Sequence, residues 1–282
     1  MNILHNQLMS NYTTLRIGGP VKNLYIPENE QELINLVKEL DSNKTLYRII
    51  ANGSNILVNS KGLKRDIVCV TKACKTIVVD NQNVYAGCSV NLQAFINMCV
   101  KHNLYAYEFL ASVPGSIGGA VYMNAGRGKC YGNSISDYIS FVRVFDGRGI
   151  TDIPKEQCGF SYRKSVFQNR NWIILGAMFT LKKQDGGYSQ DKIKDRLAYA
   201  RRYQDHGMPN AGSIFSKGNR GVFSLLKGFR YGGAQFSKKT ANWINNINNA
   251  SSPDVLFLIA VARLLNYMVF CKTSVEINYW PD

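Results

Sequence analysis

The sequence predicts an α+β fold in three parts. Residues 1–72 and 73–188 form two lobes, and residues 189–282 form a C-terminal α+β domain. Three observations carry the prediction. A chain of 282 residues with 45 % apolar content is long for one core and fills two or three modest ones. Short β-branched runs recur around two stretches of helical spacing, so strands and helices share the first two lobes. Asp185-Gly186-Gly187 then marks a boundary, beyond which a charged helical stretch opens a new composition.

In chain order, Glu28 to Leu40 places Leu33, Leu36, Val37 and Leu40 on one helical face after Pro27. The apolar run Leu46 to Ile50 reads as a strand. Ile67 to Thr71, Thr76 to Val79 and Val84 to Ala86 read as further strands, before a helix carrying Leu92, Phe95, Ile96, Cys99 and Val100. Ile139 to Asp146 and Ile150 to Ile153 flank Gly147-Arg148-Gly149 as a hairpin, and Trp172 to Leu181 reads as a strand. Gln190 to Gln204 is a charged helix. The last long helix starts at Ser252-Pro253-Asp254, with serine as cap, proline in the first turn and an acid near the positive end. Val275 to Tyr279 is a closing strand.

Net charge is +15, from 34 basic and 19 acidic side chains, which attracts anions in general. The basic residues are spread along the chain, in clusters seldom larger than Arg201-Arg202 or Lys238-Lys239, and no nucleic-acid module is recognisable. A nucleotide sugar or a dinucleotide would use the same field, so charge alone does not choose. The seven cysteines, at positions 69, 74, 88, 99, 130, 158 and 271, are odd in number and never form a C-x-x-C pair, which predicts reduced thiols. His5, His102 and His206 have no metal-ligand spacing, and no metal is expected. The run Val255 to Ala262 stops at Arg263, short of the roughly 20 residues of a membrane span, and residues 1–7 lack a secretory pattern. A cytoplasmic monomer with no membrane and no nucleic-acid partner is expected.

Two glycine-rich segments stand out. Val113 to Gly126 holds four glycines and a proline around a short apolar core, and Ala51-Asn52-Gly53-Ser54-Asn55 separates two apolar runs. Glycine lets backbone N–H groups approach a bulky ligand and takes positive φ cheaply, so both read as binding loops. Tight turns packed against neighbouring chain would produce the same composition. Neither segment is a G-x-x-x-x-G-K-S/T or a G-x-G-x-x-G motif, so any dinucleotide is held outside the doubly wound fold.

Together with Asn11-Tyr12-Thr13-Thr14-Leu15-Arg16-Ile17-Gly18-Gly19, the two loops resemble the UDP-N-acetylenolpyruvoylglucosamine reductase family. The likeness runs on to residue 276, and the short interval from Arg163 to Ser213 resembles its compact subclass. The resemblance implies a two-lobed FAD-binding fold of the vanillyl-alcohol-oxidase type followed by a substrate-binding domain. It implies that FAD is held by Asn52, Gly53, Ser54, Asn55 and Ile56, and by Val113, Pro114, Gly115, Ser116, Gly118, Gly119, Ala120, Met123, Asn124, Ala125 and Gly126. NADPH would reduce the flavin before the enolpyruvyl nucleotide sugar enters.

Three residues match the family's catalytic positions: Arg163 in Tyr-Arg-Lys-Ser-Val-Phe, Ser213 in Ala-Gly-Ser-Ile-Phe, and Glu276 in Ser-Val-Glu-Ile. Reduction of an enolpyruvyl group leaves charge delocalised into the carboxylate, which a fixed cation and a second donor would stabilise. Arg163 and Glu276 suit those roles, and Ser213 suits protonation of C2. Taken singly, Ser213 reads as a turn serine, Arg163 as a surface ion pair and Glu276 as the wet face of a strand. Tyr162, Lys217 and Gln235 are the implied substrate contacts. The sequence departs from the family after Ser213, where Ile214-Phe215-Ser216-Lys217-Gly218-Asn219 has no proline. Thr240 and Trp243 also replace the common histidine and phenylalanine, while Asn242 and Asn246 are retained. These changes leave as rivals a relative acting on another nucleotide sugar or an oxidase sharing the flavin fold, and the net charge leaves a basic polyanion- or nucleic-acid-binding protein.

Overall fold

A computed structural model describes residues 1–127 and 132–282. Cys130 lies outside the described residues; the other six cysteines are free thiols. The chain divides into two compact units. Unit 1 holds Met1–Ile3, Tyr25–Asn52 and Ile67–Ala198; unit 2 holds Leu4–Leu24, Gly53–Asp66 and Tyr199–Asp282. No crossing falls at 72/73 or 188/189, the divisions expected from composition.

Unit 1 is built around an antiparallel five-stranded sheet in the order Ile150–Pro154, Ile139–Phe145, Ile173–Thr180, Asn83–Gly87, Ile77–Asp80. The expected hairpin closes through Asp146, whose carboxylate accepts from the backbone N–H of Arg148 and Gly149, both at 2.8 Å. Helix α1 (Glu30–Ser42) starts at Asn29, whose side chain accepts from Glu32 N at 2.9 Å. Its buried face of Leu33, Ile34, Leu36, Val37 and Leu40 packs with Val68, Cys88 and Leu175. Helix α2 (Leu92–Lys101) buries Leu92, Phe95, Ile96 and Cys99, with the Phe95 and Phe179 rings 4.8 Å apart. Beside them, buried Tyr107 donates to Ile135 O at 3.1 Å, and burial pushes its phenol well above the ordinary value. Helix α3 (Ile117–Tyr122) follows.

Helix α4 (Gly186–Tyr203) starts four residues before the expected Gln190 and includes both glycines of the predicted boundary. Polar neighbours make that start possible. Asp185 Oδ1 accepts from Tyr188 N at 2.8 Å, and Asn103 Oδ1 accepts from Gly186 N at 3.0 Å, pairing N–H groups that a helix leaves unbonded.

Unit 2 holds an antiparallel sheet in the order Asn210–Ser213, Trp243–Asn246, Ala234–Phe236, Arg230–Tyr231. Helices α5 (Arg220–Leu225) and α6 (Ser252–Met268) pack beside it, with Val255, Leu258, Ile259 and Ala262 against Ile214, Phe223, Phe236 and Ile244. The cap of α6 is Ser251, one residue before the expected one, in a capping box with Asp254. Ser252 instead exchanges hydrogen bonds with Ser60, at 3.0 and 2.7 Å. The predicted closing strand is two strands. Ser274–Val275 pairs antiparallel with Phe215–Lys217, and Asn278–Trp280 pairs parallel with Ile56–Val58. Glu276 lies where the chain changes partners. Among the described residues no helix is long and apolar enough to cross a membrane.

Asp205 fastens this sheet, accepting from Ser237 Oγ at 2.7 Å and Asn245 Nδ2 at 2.6 Å. Partial burial pushes its carboxyl up, but these bonds and one from Gly207 N outweigh it and hold the group below the usual carboxylate range. A depressed folded-state pKa contributes stability above the unfolded value, and the contribution is lost as pH falls through the folded one. Asp205→Asn is expected to cost about 1 kcal/mol at neutral pH. Thermal melts of both proteins should converge as the pH falls below about 4.

Candidate active site

In unit 1, Val113 to Gly126 is not one loop. Ser116 Oγ accepts from Gly119 N at 3.4 Å and starts α3 within it. The glycines then meet different needs. A Cβ on Gly118 would lie 2.8 Å from Cys88 Cβ, and one on Gly126 would collide with the Asn133 carbonyl. Both permit close packing of the protein on itself. Gly119, by contrast, is exposed, with Ser116 Oγ at 3.8 Å the nearest atom to an added Cβ. Its backbone is open to a ligand.

Arg163 sits in a two-residue turn closed by Ser161 and Lys164, which exchange backbone hydrogen bonds of 3.1 and 3.0 Å. Its φ of +57° is a conformation glycine takes more easily, costing on the order of 1 kcal/mol for arginine. The strained turn aims the guanidinium at the glycine segment. Arg163 Nη2 donates to Gly126 O at 2.8 Å and Nη1 to Asn124 O at 3.4 Å, while the group lies 5.1 Å from the centre of the half-exposed Tyr162 ring. Asn124 donates back to Ser161 O at 2.9 Å. Two residues without an expected role complete the arrangement: Ser165 Oγ donates to Tyr122 O at 2.7 Å, and Gln168 Nε2 donates to Tyr122 O at 3.0 Å and Arg163 O at 3.2 Å. Ser165 lies inside the Tyr-Arg-Lys-Ser motif and was legible there. Gln168 has no local signal.

The other loop passes from unit 1 at Asn52 to unit 2 at Gly53. Gly53 has φ +59°, and a Cβ there would collide with the Tyr12 carbonyl. Its own carbonyl accepts from Thr14 N at 3.2 Å. The N-terminal motif is also tied to the sheet, since Thr14 Oγ1 donates to Asn210 O at 2.7 Å and Asn246 Nδ2 donates to Leu15 O at 3.1 Å. Beyond Ser54, Asn55 Nδ2 donates to Glu276 O at 3.1 Å and Asn55 O accepts from Asn278 N at 3.0 Å, just before the strand that begins with Ile56.

Ser213 is exposed at the end of its strand, and Gly212 beside it has φ +73° with no atom within 4 Å of an added Cβ. The next residue, Ile214, accepts from Glu276 N at 2.8 Å. Asn242 braces the same stretch, its amide oxygen accepting from Phe215 N at 2.9 Å and its nitrogen donating to Phe215 O at 2.7 Å. Ser213, half-buried Glu276 and Asn55 therefore belong to one hydrogen-bonded neighbourhood of unit 2, while Arg163 belongs to unit 1. Exposed Lys217 stands opposite Ser274, and Gln235 Nε2 is occupied by Gly228 O at 3.0 Å. The proline-free departure has a local reason: Asn219 caps α5, its side chain accepting from Gly221 N at 2.8 Å and Val222 N at 3.2 Å.

Residues 21–152 match the family of FAD binding domains. UDP-N-acetylenolpyruvoylglucosamine reductases of Caldanaerobacter subterraneus, Pseudothermotoga lettingae and Bacillus pumilus are 34, 35 and 34 % identical to the chain. Those alignments cover 90, 89 and 98 % of this chain and 85, 88 and 93 % of the relatives. The crystal structure of UDP-N-acetylenolpyruvylglucosamine reductase from Thermus caldophilus superposes with a TM-score of 0.80 at 26 % identity, covering 99 % of this chain and 98 % of that one. The residues present fit a flavin. Asn124 Oδ1 is buried without a hydrogen-bond partner among the described residues, as is Ser112 Oγ at the head of the same segment. Such atoms call for a polar ligand, and FAD carries ring N–H and ribityl hydroxyl donors.

Gly53→Ala is expected to destabilise the protein by about 2 kcal/mol or more through positive φ and the Tyr12 collision. Gly119→Ala should leave the melting temperature nearly unchanged, since alanine suits a helix better by up to about 1 kcal/mol, yet weaken FAD binding. Melts with and without FAD, and the flavin-to-protein absorbance ratio, separate the two.

Proposed function

The chain belongs to the UDP-N-acetylenolpyruvoylglucosamine reductase family, FAD-dependent oxidoreductases, and from that premise we propose that it reduces the enolpyruvyl group of UDP-N-acetylglucosamine enolpyruvate with NADPH. The product is UDP-N-acetylmuramate, a peptidoglycan precursor. Bound FAD supplies the hydride chemistry. The observation that carries the reading is the neighbourhood of Ser213 and Glu276, joined through Ile214 O to Glu276 N at 2.8 Å and to the flavin-loop residue Asn55 through Glu276 O.

Each residue then has a task on the substrate. Arg163, held by Gly126 O and Asn124 O, places a permanent cation against the charge that develops on the carboxylate. The Glu276 carboxyl gives the second hydrogen bond to that charge. Ser213 Oγ, reachable past the uncrowded Gly212, delivers the proton to C2. Tyr162 and Lys217 bind the nucleotide sugar, with Gln235 contributing its remaining amide oxygen. Asn52, Gly53, Ser54, Asn55 and Ile56, with residues 113–126, hold FAD. The expected parts, 1–72 and 73–188 as flavin lobes and 189–282 as substrate domain, are functional divisions that do not coincide with the two compact units. Free thiols suit a reducing cytoplasm, where the protein acts as a monomer.

An anaerobic visible spectrum tests the assignment. The flavin band should bleach with NADPH and return on adding the enolpyruvyl nucleotide sugar. A band that bleaches but does not return assigns another nucleotide sugar, the reading that occupied Gln235 and the altered 216–219 stretch favour. No flavin band, with no uptake of added FAD, would sink the flavoenzyme assignment.

Ser213→Ala should leave reduction by NADPH nearly intact and slow reoxidation by substrate, while equal loss of both steps removes the proposed role. Arg163→Ala should lower the reoxidation rate by roughly 10²–10³-fold, the usual loss on removing one such donor. Flavin titration of that variant distinguishes lost charge from a displaced 124–126 segment.

A further inference from the structure

Helix α6 is apolar on both faces. Its inner face of Val255, Leu258, Ile259 and Ala262 fills the core of unit 2. Phe257, Ala260, Leu264 and Tyr267 recur at spacings of three and four on the other side, and all four are exposed. Leu264 is 60 % and Tyr267 79 % exposed. Exposed Tyr231 extends the stripe at one end by stacking on Phe257, with ring centres 3.8 Å apart. At the other end the stripe runs into Met268, Val269 and Phe270. Phe270 is 100 % exposed and held at φ +54°. A contiguous apolar surface of this kind marks an interaction site.

The stretch of chain that carries this face is almost free of acidic residues. Between His206 and Val275 the chain has eight lysines and arginines and one carboxylate, Asp254. That carboxylate is engaged, accepting from Ser251 N at 2.9 Å and Gly233 N at 3.2 Å. Exposed Arg263 lies one turn before Tyr267, and exposed Lys272 follows Phe270 by two residues. Exposed Arg220 follows Asn219, whose N–H donates to Asn266 Oδ1 near the end of α6 at 2.6 Å. Exposed Arg230 adjoins Tyr231 at the far end.

We infer that the outer face of α6 and the 267–270 tip dock on an anionic lipid bilayer. Aromatic and aliphatic side chains enter the headgroup boundary while the flanking cations meet lipid phosphates and carboxylates. Charge selects this occupant over a second copy of the chain, which would bring Arg263, Lys272 and Arg220 against their own kind. Shape selects it over an acidic protein: Phe270 stands out from the surface, and lipid closes around such a tip without a matching groove. The docking differs from the spanning segment that hydropathy excludes. It stands apart from the catalytic assignment.

The test uses the full chain loaded with FAD, sedimented with vesicles of phosphatidylcholine alone or with about 30 % phosphatidylglycerol. Binding to the anionic vesicles should exceed binding to neutral ones by about tenfold and fall as salt rises. The L264S/F270S variant should lose about tenfold in binding while keeping its melting temperature and flavin spectrum. R263E/K272E, which leaves the apolar stripe intact, should lose as much, so the idea remains testable if the first variant folds poorly. Failure to bind anionic vesicles overturns the inference, as does undiminished binding by L264S/F270S. A concentration-dependent dimer that L264S/F270S dissolves would give the face to a second copy. Retention on an immobilised acidic amphipathic peptide, with none on vesicles, would give it to a protein.

Discussion

Among the described glycines, the tightest constraint is the approach of Gly53 to the Tyr12 carbonyl. No side chain fits between them, and the contact is closed by the Thr14 N–H on Gly53 O. The 11–19 motif binds the sheet through Thr14 and Asn246, and the loop after Gly53 binds residues 276–278 through Asn55. A displacement at Gly53 therefore moves the loop of residues 54–56 and the Glu276 segment together. Segments distant in sequence are held by short backbone contacts, which are stiff because interiors are close-packed.

Unit 1 uses a different device for its charged residue. Arg163 accepts a left-handed backbone so that its guanidinium reaches two carbonyls of the glycine segment, with Ser165 and Gln168 fastening the same segment at Tyr122. Local strain is offset by charge-assisted hydrogen bonds, which fix the orientation of the cation. The buried acceptor of Asn124 has no hydrogen-bond partner among the described residues. In unit 2 the corresponding preorganisation comes from a strand that changes partners, which leaves Glu276 between two ladders with both backbone polar groups bonded.

Much of this was legible in the sequence because it rests on local physics. The buried face of α1, the strand pattern of unit 1 and the Gly-Arg-Gly hairpin follow from side-chain period and turn chemistry, and the glycine motifs and Tyr-Arg-Lys-Ser identify the family. Errors occurred where a distant residue settled a local choice. Asn103 and Asp185 let α4 begin on glycines that read as a boundary, Ser60 draws Ser252 away from capping α6, and Ser116 turns part of a supposed loop into α3.

The sequence by itself determined the α+β class, the family and its flavin, since these depend on periodicity and on residue types carried in short motifs. Only the tertiary structure decided that the chain crosses between its units at residues 3, 24, 52, 66 and 198, that the last strand is two, and that Arg163 rests on Gly126. Those outcomes depend on which backbone groups find partners across long stretches of chain. Every buried N–H and C=O must be paired, but composition does not say with whom.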